Sequence, residues 1–221
     1  MDWNDSVFSP PESSDPYGYV GWSYDIDTAM LEDAYRHGVF PWPEGEKEIL
    51  WFSPPERGGV ETGKFHIPHG TVRELKKKKW HLEIDTVFDQ VIDECAASFR
   101  PGQPGTWITS AMRRGYKEFH RAGWAHSFET FDEENNLVGG LYGVLVGAVF
   151  CGESMFFKES GASKFALANM FSVLRDSGVE FVDTQMITPT LAMFGAVEIS
   201  RSDYWKKLCS LRDRDIKIKN T

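Results

Sequence analysis

Three polar side chains stand inside segments that otherwise have the apolar composition of buried strands. Glu153 lies in the middle of FCGESMF, and Asp183 and Gln185 stand two residues apart in FVDTQM. Burying a carboxylate in such a segment is costly unless it is paired or faces a cavity. Glu153 is therefore either a strand residue satisfied by backbone amides or a buried anion that binds a cationic group of a substrate.

Strand alternation places Asp183 and Gln185 on one face of their segment. Two polar groups in this arrangement either form a structural hydrogen bond at a sheet edge or line a polar cleft. In a cleft, Asp183 could hold or polarise Gln185, or accept a proton.

Three other segments carry residue types with chemical potential. KESGASK, before a predicted helix, partly matches the phosphate-binding turn of acetyl-CoA-dependent acetyltransferases, or is an ordinary helix start. His126 and Cys151 could form a base and nucleophile, but a thiol in a hydrophobic strand is usually inert packing. The run RELKKKKWH, residues 73–81, is either a solvated surface or an electrostatic contact for an RNA backbone.

Composition and charge limit the class of protein. The 221 residues carry a net charge of -9, but residues 1–61 hold 13 acidic and 3 basic residues, whereas residues 62–221 hold 20 acidic and 21 basic residues. Three distant cysteines and scattered histidines give no metal-binding spacing. We expect a cytoplasmic monomer without a membrane span, because no signal peptide is visible and the longest apolar run, 137–151, is too short and glycine-rich.

The elements that must position these side chains follow from periodicity and capping. Helices are predicted over 28–37 after Asp27, over 72–79 after a Thr71/Glu74 capping box, after a cap at Asp85, over 109–122, over 162–176, and after a cap at Ser202. Strands are predicted for KFHIP, HLEID, AHSFETF, LVGGLYGVLV, GAVFCGESMF, EFVDTQMI and GAVEIS. This order predicts an α+β protein with one twisted, acyltransferase-type sheet that carries helices.

An ordered set of motifs resembles the leucyl/phenylalanyl-tRNA–protein transferases. The matching segments are AYRHGVFPW, ILWFSPPERG, HIP, TWIT, AHSFE, LVGGLYGV, FCGESMF, ASKFAL, VDTQ and GAVEISR, which span residues 34 to 201. The resemblance implies a small N-terminal α/β domain, residues 1–61, followed by an acetyltransferase-like (GNAT-like) domain, residues 62–221, with a mixed, twisted sheet flanked by helices.

The resemblance also implies the activity. Such an enzyme transfers leucine or phenylalanine, with methionine as a third candidate, from aminoacyl-tRNA to the α-amino group of a protein that begins with Arg or Lys. The product is marked for degradation by the N-end rule, and no metal or coenzyme is used. Two other functions stay open from the residues: an acetyl-CoA-dependent N-acetyltransferase, suggested by the strand order and KESGASK, and a catalytically silent RNA-binding module, suggested by the lysine run.

Site roles carry over from the family pattern position by position. Glu153 matches the carboxylate that engages the cationic acceptor, and Asp183 with Gln185 matches the polar pair beside the reacting ester. Trp42 and Trp107 match aromatics that pack against the terminal adenosine and the aminoacyl group. The other expected substrate-binding residues are Leu141, Phe150, Ser154, Leu167, Met170, Leu174 and Val182. The expected tRNA-binding residues are Arg73, Lys76, Lys77, Lys78 and Lys79.

The sequence departs from the family pattern at several places. GYVGWSYDI replaces the usual GLLAxGGDL, and Thr190 stands where a histidine usually follows the Asp-x-Gln pair. Met170 and Leu174 occupy positions that are often aromatic, which could shift the preference between leucine and phenylalanine.

Overall fold

The computed structural model describes residues 6–10, 15–44, 47–98 and 108–219. Within these ranges the strands are Tyr19–Ser23 (β1), Phe40–Glu44 (β2), Glu48–Phe52 (β3), Glu56–Glu61 (β4), His81–Ile84 (β5), Ala125–Phe131 (β6), Leu137–Val146 (β7), Val149–Phe157 (β8), Phe181–Gln185 (β9) and Val197–Ser200 (β10). The α-helices are Thr28–Arg36 (α1), His69–Leu75 (α2), Phe88–Ala97 (α3), Ser110–Arg121 (α4), Ala162–Ser177 (α5), Pro189–Met193 (α6) and Arg201–Leu211 (α7).

The strands form two sheets, and the larger one contains a gap. β1, β3 and β2 make an antiparallel three-stranded sheet, and seven strands follow the order β10-β4-β9-β8-β7-β6-β5. Only β8 and β9 are parallel in the larger sheet, and their pairing runs from Val149↔Phe181 to Cys151↔Asp183. Both strands continue beyond Cys151 and Asp183 without pairing to each other, so the sheet opens there.

Two apolar cores lie on opposite faces of the seven-stranded sheet. One contains buried residues of α1, α3, α4 and α7, and the other contains the buried residues of α5. The predicted α+β class, with a mixed sheet flanked by helices, is confirmed.

Helix caps, a helix-ending glycine and apolar strand patterns in the sequence correctly predicted most of the helices and strands around the centre of the larger sheet. The Asp27 side chain accepts a hydrogen bond from Met30 N at the start of α1, and Thr109 caps α4. Gly178, at φ 93°, ends α5 in the left-handed region that favours glycine. The three consecutive strands β6, β7 and β8 are present as predicted.

Four local predictions are wrong. The predicted strand KFHIP is instead a 3-10 turn, Thr62–Lys64, followed by extended chain up to Pro68. Helix α2 begins directly after Pro68, so Thr71 lies inside it and no capping box forms. Asp85 has φ 60° and turns its carboxylate to Ser127 N rather than to a helix end. Ser200, not Ser202, caps α7.

Strand β4 lies between β9 and β10 in the larger sheet. A division of the chain at residue 61 would separate β4 from both neighbours, and that division stays a prediction. The position of β4 matters for the site because it brings Arg57 against β9.

Candidate active site

A buried ion pair joins β4 to β9. Arg57 Nε lies 2.9 Å from Asp183 Oδ1 and Nη2 lies 2.7 Å from Oδ2, the two-pronged geometry that a guanidinium forms with a carboxylate. The two side chains are 1% and 0% exposed. Arg57 Nη1 also donates to Gly38 O, 3.0 Å away. Burial opposes the charge on Arg57, but the carboxylate of Asp183 outweighs this effect and raises the pKa of the guanidinium.

Aromatic rings enclose this ion pair. The Arg57 Cζ atom lies 4.6 Å from the centre of the Phe40 ring and 4.5 Å from that of Tyr204. A guanidinium held between two rings has one orientation, so Asp183 is held in place as well.

Asp183 in turn positions Gln185. The Gln185 backbone N–H donates to Asp183 Oδ1 over 2.8 Å, and Gln185 has φ 58°, a left-handed conformation that is uncommon outside glycine. This turn directs the Gln185 side chain across the gap between β8 and β9, where Nε2 donates to Glu153 Oε1 at 2.8 Å.

Glu153 is the centre of a second set of contacts. It lies in a bulge of β8, where the register with β7 shifts between Gly143↔Gly152 and Tyr142↔Ser154. Tyr116 Oη on α4 donates to Glu153 Oε2 at 3.2 Å, and Tyr35 Oη on α1 lies 2.5 Å from Tyr116 Oη. Two helices and two strands therefore meet at one carboxylate.

The surroundings of Glu153 disfavour its charge. Burial raises its pKa to about 7, with a further contribution from Asp183, while the hydrogen bonds from Tyr35 and Tyr116 act in the opposite direction. The pKa of each tyrosine is raised well above 10 by burial and by Glu153, so both phenols stay protonated as donors. Near neutral pH, Glu153 can be present in either protonation state.

The predicted aminoacyl pocket residues lie on the other side of the sheet. Leu141 and Phe150 belong to the core beneath α5, whereas Tyr35 and Tyr116 belong to the opposite core. The remaining members of the predicted set in that core are Leu167, Met170, Leu174 and Val182. All six side chains are buried, and Phe150 and Val182 are registered partners one step before Cys151 and Asp183, the last pair before the gap.

The other predicted substrate-binding residues are dispersed. Ser154 is half-buried on β8 opposite Tyr142, and Trp42 is half-buried on β2, where it packs against the first core. Trp107 lies outside the described residues. Their roles stay predictions.

The predicted basic residues form an exposed surface beyond α2. Arg73 lies on α2, and Lys76–Lys79 follow its end. Lys78 pairs with Glu159 at 3.4 Å and lies over the Trp80 ring, while Lys79 pairs with Glu133 at 2.8 Å. A Cβ added to Gly161, before α5, would lie 3.7 Å from Trp80, so this basic surface adjoins the start of α5.

Other candidate chemistry finds no support in the described parts of the chain. Burial raises the pKa of the Cys151 thiol, and His126 contacts Asp85 at 2.7 Å rather than a thiol. No group of three or more His, Cys, Asp or Glu side chains among the described residues could hold a metal ion. No described helix is long and apolar enough to cross a bilayer.

Sequence reasoning missed Arg57, Tyr35 and Tyr116. Arg57 was visible only as part of SPPERG, in a turn-like segment that gives no sign of a buried cation. Tyr116 lies on the buried face of its helix with Met112 and Phe119, and a buried tyrosine hydroxyl is a signal that it needs a hydrogen-bond partner.

Comparison with known proteins gives a consistent result for both parts of the chain. A family model described as "Leucyl/phenylalanyl-tRNA protein transferase" matches residues 60–209, and that family's N-terminal domain matches residues 24–55. A solved structure, "The structure of L-PGS from Bacillus licheniformis", aligns over 85% of this chain and 64% of that chain, with 12% identity and a TM-score of 0.41, which is too weak to support an argument.

Curated relatives extend the match over most of the chain. The leucyl/phenylalanyl-tRNA–protein transferase of Xanthomonas euvesicatoria pv. vesicatoria (strain 85-10) is 44% identical over 89% of this chain and 79% of that protein. Those of Anaeromyxobacter dehalogenans (strain 2CP-C) and Shewanella halifaxensis (strain HAW-EB4) are 42% and 39% identical, over 91% and 96% of this chain and 86% and 89% of those proteins. The chain therefore belongs to the leucyl/phenylalanyl-tRNA–protein transferase family.

Proposed function

We propose that this protein transfers leucine or phenylalanine from aminoacyl-tRNA to the α-amino group of proteins that begin with Arg or Lys, and so marks them for N-end rule degradation. The observation that supports this most directly is the Glu153–Gln185 contact across the gap between β8 and β9. It joins an acidic group suited to a cationic acceptor with an amide that can orient a reacting carbonyl.

Glu153 selects the acceptor. Its two oxygens face the neutral donors Gln185 and Tyr116, so an arriving guanidinium or ammonium group supplies the missing cation. A charge-assisted hydrogen bond is stronger than one between neutral groups. Binding of a cation also favours ionised Glu153, which burial otherwise opposes.

The reaction needs positioning more than activation. The acceptor amine attacks the ester carbonyl, a C–N bond forms, the C–O bond to the terminal ribose breaks, and the amine proton ends on the released ribose oxygen. An aminoacyl ester is already reactive, so holding both substrates in line supplies much of the rate. The Gln185 amide is placed to steady the oxygen that becomes negative.

Asp183 and Arg57 act as positioning residues in this proposal. The Asp183 carboxylate accepts hydrogen bonds from Arg57 and from the Gln185 backbone N–H. Their part is to hold the left-handed turn that aims Gln185 at the gap.

The donor side chain enters from the gap into the apolar core beneath α5. Val182 on β9 and Phe150 on β8 are paired one step before the gap and belong to that core. The exposed lysines 76–79 belong to the basic surface that adjoins the start of α5. Their positive charge suits the phosphate backbone of the tRNA acceptor stem. We expect the protein to act as a cytoplasmic monomer without metal or coenzyme.

The test uses radiolabelled leucyl-tRNA and a peptide that begins with Arg. The pure protein should label this peptide, and should label a peptide with N-terminal Glu far less. Glu153→Gln should lose most of the transfer to the Arg peptide, whereas Glu198→Gln, an exposed carboxylate on β10, should keep it. An absence of transfer beside an active reference enzyme would refute the proposal, and tRNA binding without transfer would favour a silent RNA-binding module.

A further inference from the structure

An exposed aromatic pair lies at the open end of the small sheet. Trp22 and Tyr24 are 55% and 65% exposed, and their ring centres are 4.9 Å apart in an edge-to-face arrangement. Large exposed aromatics that contact each other often mark interaction surfaces. Both residues fall in GYVGWSYDI, the stretch in which the chain departs from the family pattern.

This pair belongs to a sheet face that becomes more exposed with distance from the site. Trp22 is registered with Leu50, and Leu50 with Trp42, so the three side chains form a row across one face. Phe40 precedes Trp42 by two residues, lies on the same face and covers Arg57. The face is thus buried at Phe40, half-buried at Trp42 and exposed at Trp22.

Acidic groups surround the exposed end of this face. Glu48 is exposed and lies two residues before Leu50, hence on the same side of β3. Asp25 and Asp27 follow Tyr24, and Asp25 contacts one cation, Arg114, at 3.7 Å. Residues 1–61 have 13 acidic and 3 basic side chains, so this part of the protein repels phosphate and attracts cations.

A short path connects this surface with Glu153. A Cβ added to Gly115 would lie 2.6 Å from Ile26 Cγ2, so the segment after Tyr24 runs along α4 beside Tyr116, which contacts Glu153. An acceptor held at Glu153 by its N-terminal residue therefore needs several further residues, at about 3.3–3.6 Å per extended residue, to reach this face.

We propose that the aromatic–acidic face, formed by Trp22, Tyr24, Asp25, Asp27 and Glu48, binds the acceptor polypeptide several residues after its N-terminus and prefers basic side chains there. This inference rests on the proposed function. The charge distribution favours this assignment. In the proposed function the tRNA binds at lysines 76–79, on a different surface, and the acidic face is complementary to a cationic polypeptide. Aromatic faces with flanking carboxylates bind Lys and Arg through cation–π and ionic contacts.

The test compares twelve-residue acceptors that begin with Arg and differ only at positions 4–8, where they carry two Lys, two Ser or two Glu. With wild-type protein, kcat/KM should fall in that order by about two- to fivefold per step, the range expected for an exposed cation–π contact. The differences should shrink at high salt. In a Trp22→Ala/Tyr24→Ala variant the preference for Lys over Ser should disappear, while Phe157→Ala, an exposed aromatic on β8, should keep it.

A tripeptide that begins with Arg separates this inference from the proposed function. It is too short to reach the aromatic–acidic face, so the double variant and the wild type should use it equally well. Equal kcat/KM for all three long acceptors with the wild type would overturn the inference while leaving transfer intact. A raised KM for leucyl-tRNA in the double variant, with unchanged peptide preference, would instead assign the face to RNA. Failure of the wild type to label the tripeptide would refute the proposed function and the inference with it.

Discussion

Replacing Arg57 with methionine removes the guanidinium from between Phe40 and Tyr204 and leaves the Asp183 carboxylate buried without its cation. Because the two side chains are 1% and 0% exposed, the charge that remains is shielded from water. Breaking a buried pair in this way typically costs about 3–5 kcal/mol. We expect a loss of that size in the free energy of unfolding, together with loss of transfer, because Gln185 loses its support.

Arg57→Lys separates charge from geometry. Lysine keeps the cation but cannot form the two-pronged contact with Asp183 and also donate to Gly38 O. We expect an intermediate loss of stability of about 1–3 kcal/mol, the range for a missing hydrogen bond to a buried charged group. Arg121→Met is the matched control, because its pair with Asp89 is exposed and such pairs contribute about 0–1 kcal/mol.

Urea unfolding followed by tryptophan fluorescence measures these losses, and a double-mutant cycle tests their cause. Asp183→Asn alone leaves Arg57 without its anion, whereas Arg57→Met/Asp183→Asn removes both charges. The double variant should therefore be more stable than the sum of the single losses predicts, by at least about 1 kcal/mol. Additive losses would show that the two side chains are not energetically coupled and would refute the reasoning.

Three more predictions concern titration and salt. Burial raises the pKa of Glu129, on β6, to about 7, above its unfolded value. The contribution of this carboxyl group to the free energy of unfolding is therefore present at low pH and is lost as pH rises from about 4.5 to 7. Glu129→Gln should remove about 3 kcal/mol of that pH dependence, measured by urea unfolding. The ratio of wild-type to Glu153→Gln kcat/KM for an Arg acceptor should rise with pH, with a midpoint of about 7, as Glu153 ionises. Lys77→Ala should raise the KM for leucyl-tRNA. It should also reduce the slope of log KM against log salt concentration by the amount expected for about one lost phosphate contact.

Each of these has a contrary result, and the stability and tRNA predictions also have a matched control. Glu134→Gln, on the surface, should keep the wild-type pH dependence of stability, and an unchanged slope in Glu129→Gln would contradict the first prediction. A pH-independent ratio would mean that Glu153 is not the titrating group. Lys206→Ala, on α7, should leave the donor KM unchanged, and an equal effect of both lysine variants would indicate a general loss of positive charge.

The sequence predicted the parts of the site that depend on local composition. Glu153, Asp183 and Gln185 were identified because a polar residue within an apolar strand segment is visible in the sequence itself. The structure brings all three together. The hairpin of β7 and β8 followed from its apolar length and its glycine turn at Gly147.

The remainder depends on contacts between distant segments. Arg57 could not be assigned because its partner lies 126 residues away, and nothing around SPPERG indicates burial. The cap at Asp85 failed for the same reason, because Asp85 accepts a hydrogen bond from Ser127 N on β6. The cap at Thr71 failed for a local reason, because α2 begins directly after Pro68. Alternation placed Asp183 and Gln185 together, but the left-handed turn at Gln185 needs the Asp183 contact to hold it.

The insertion of β4 between β9 and β10 has a consequence for how the protein comes into being. During synthesis, Glu56–Glu61 leaves the ribosome long before Phe181–Gln185 and Val197–Ser200, its two sheet partners. Contacts of such long sequence separation are slow to form, and domains that depend on them fold late. Arg57 cannot form its ion pair with Asp183 until β9 has been synthesised. A polypeptide that ends before β9 lacks Asp183 and Gln185, so the complete site can form only after β9 has been synthesised.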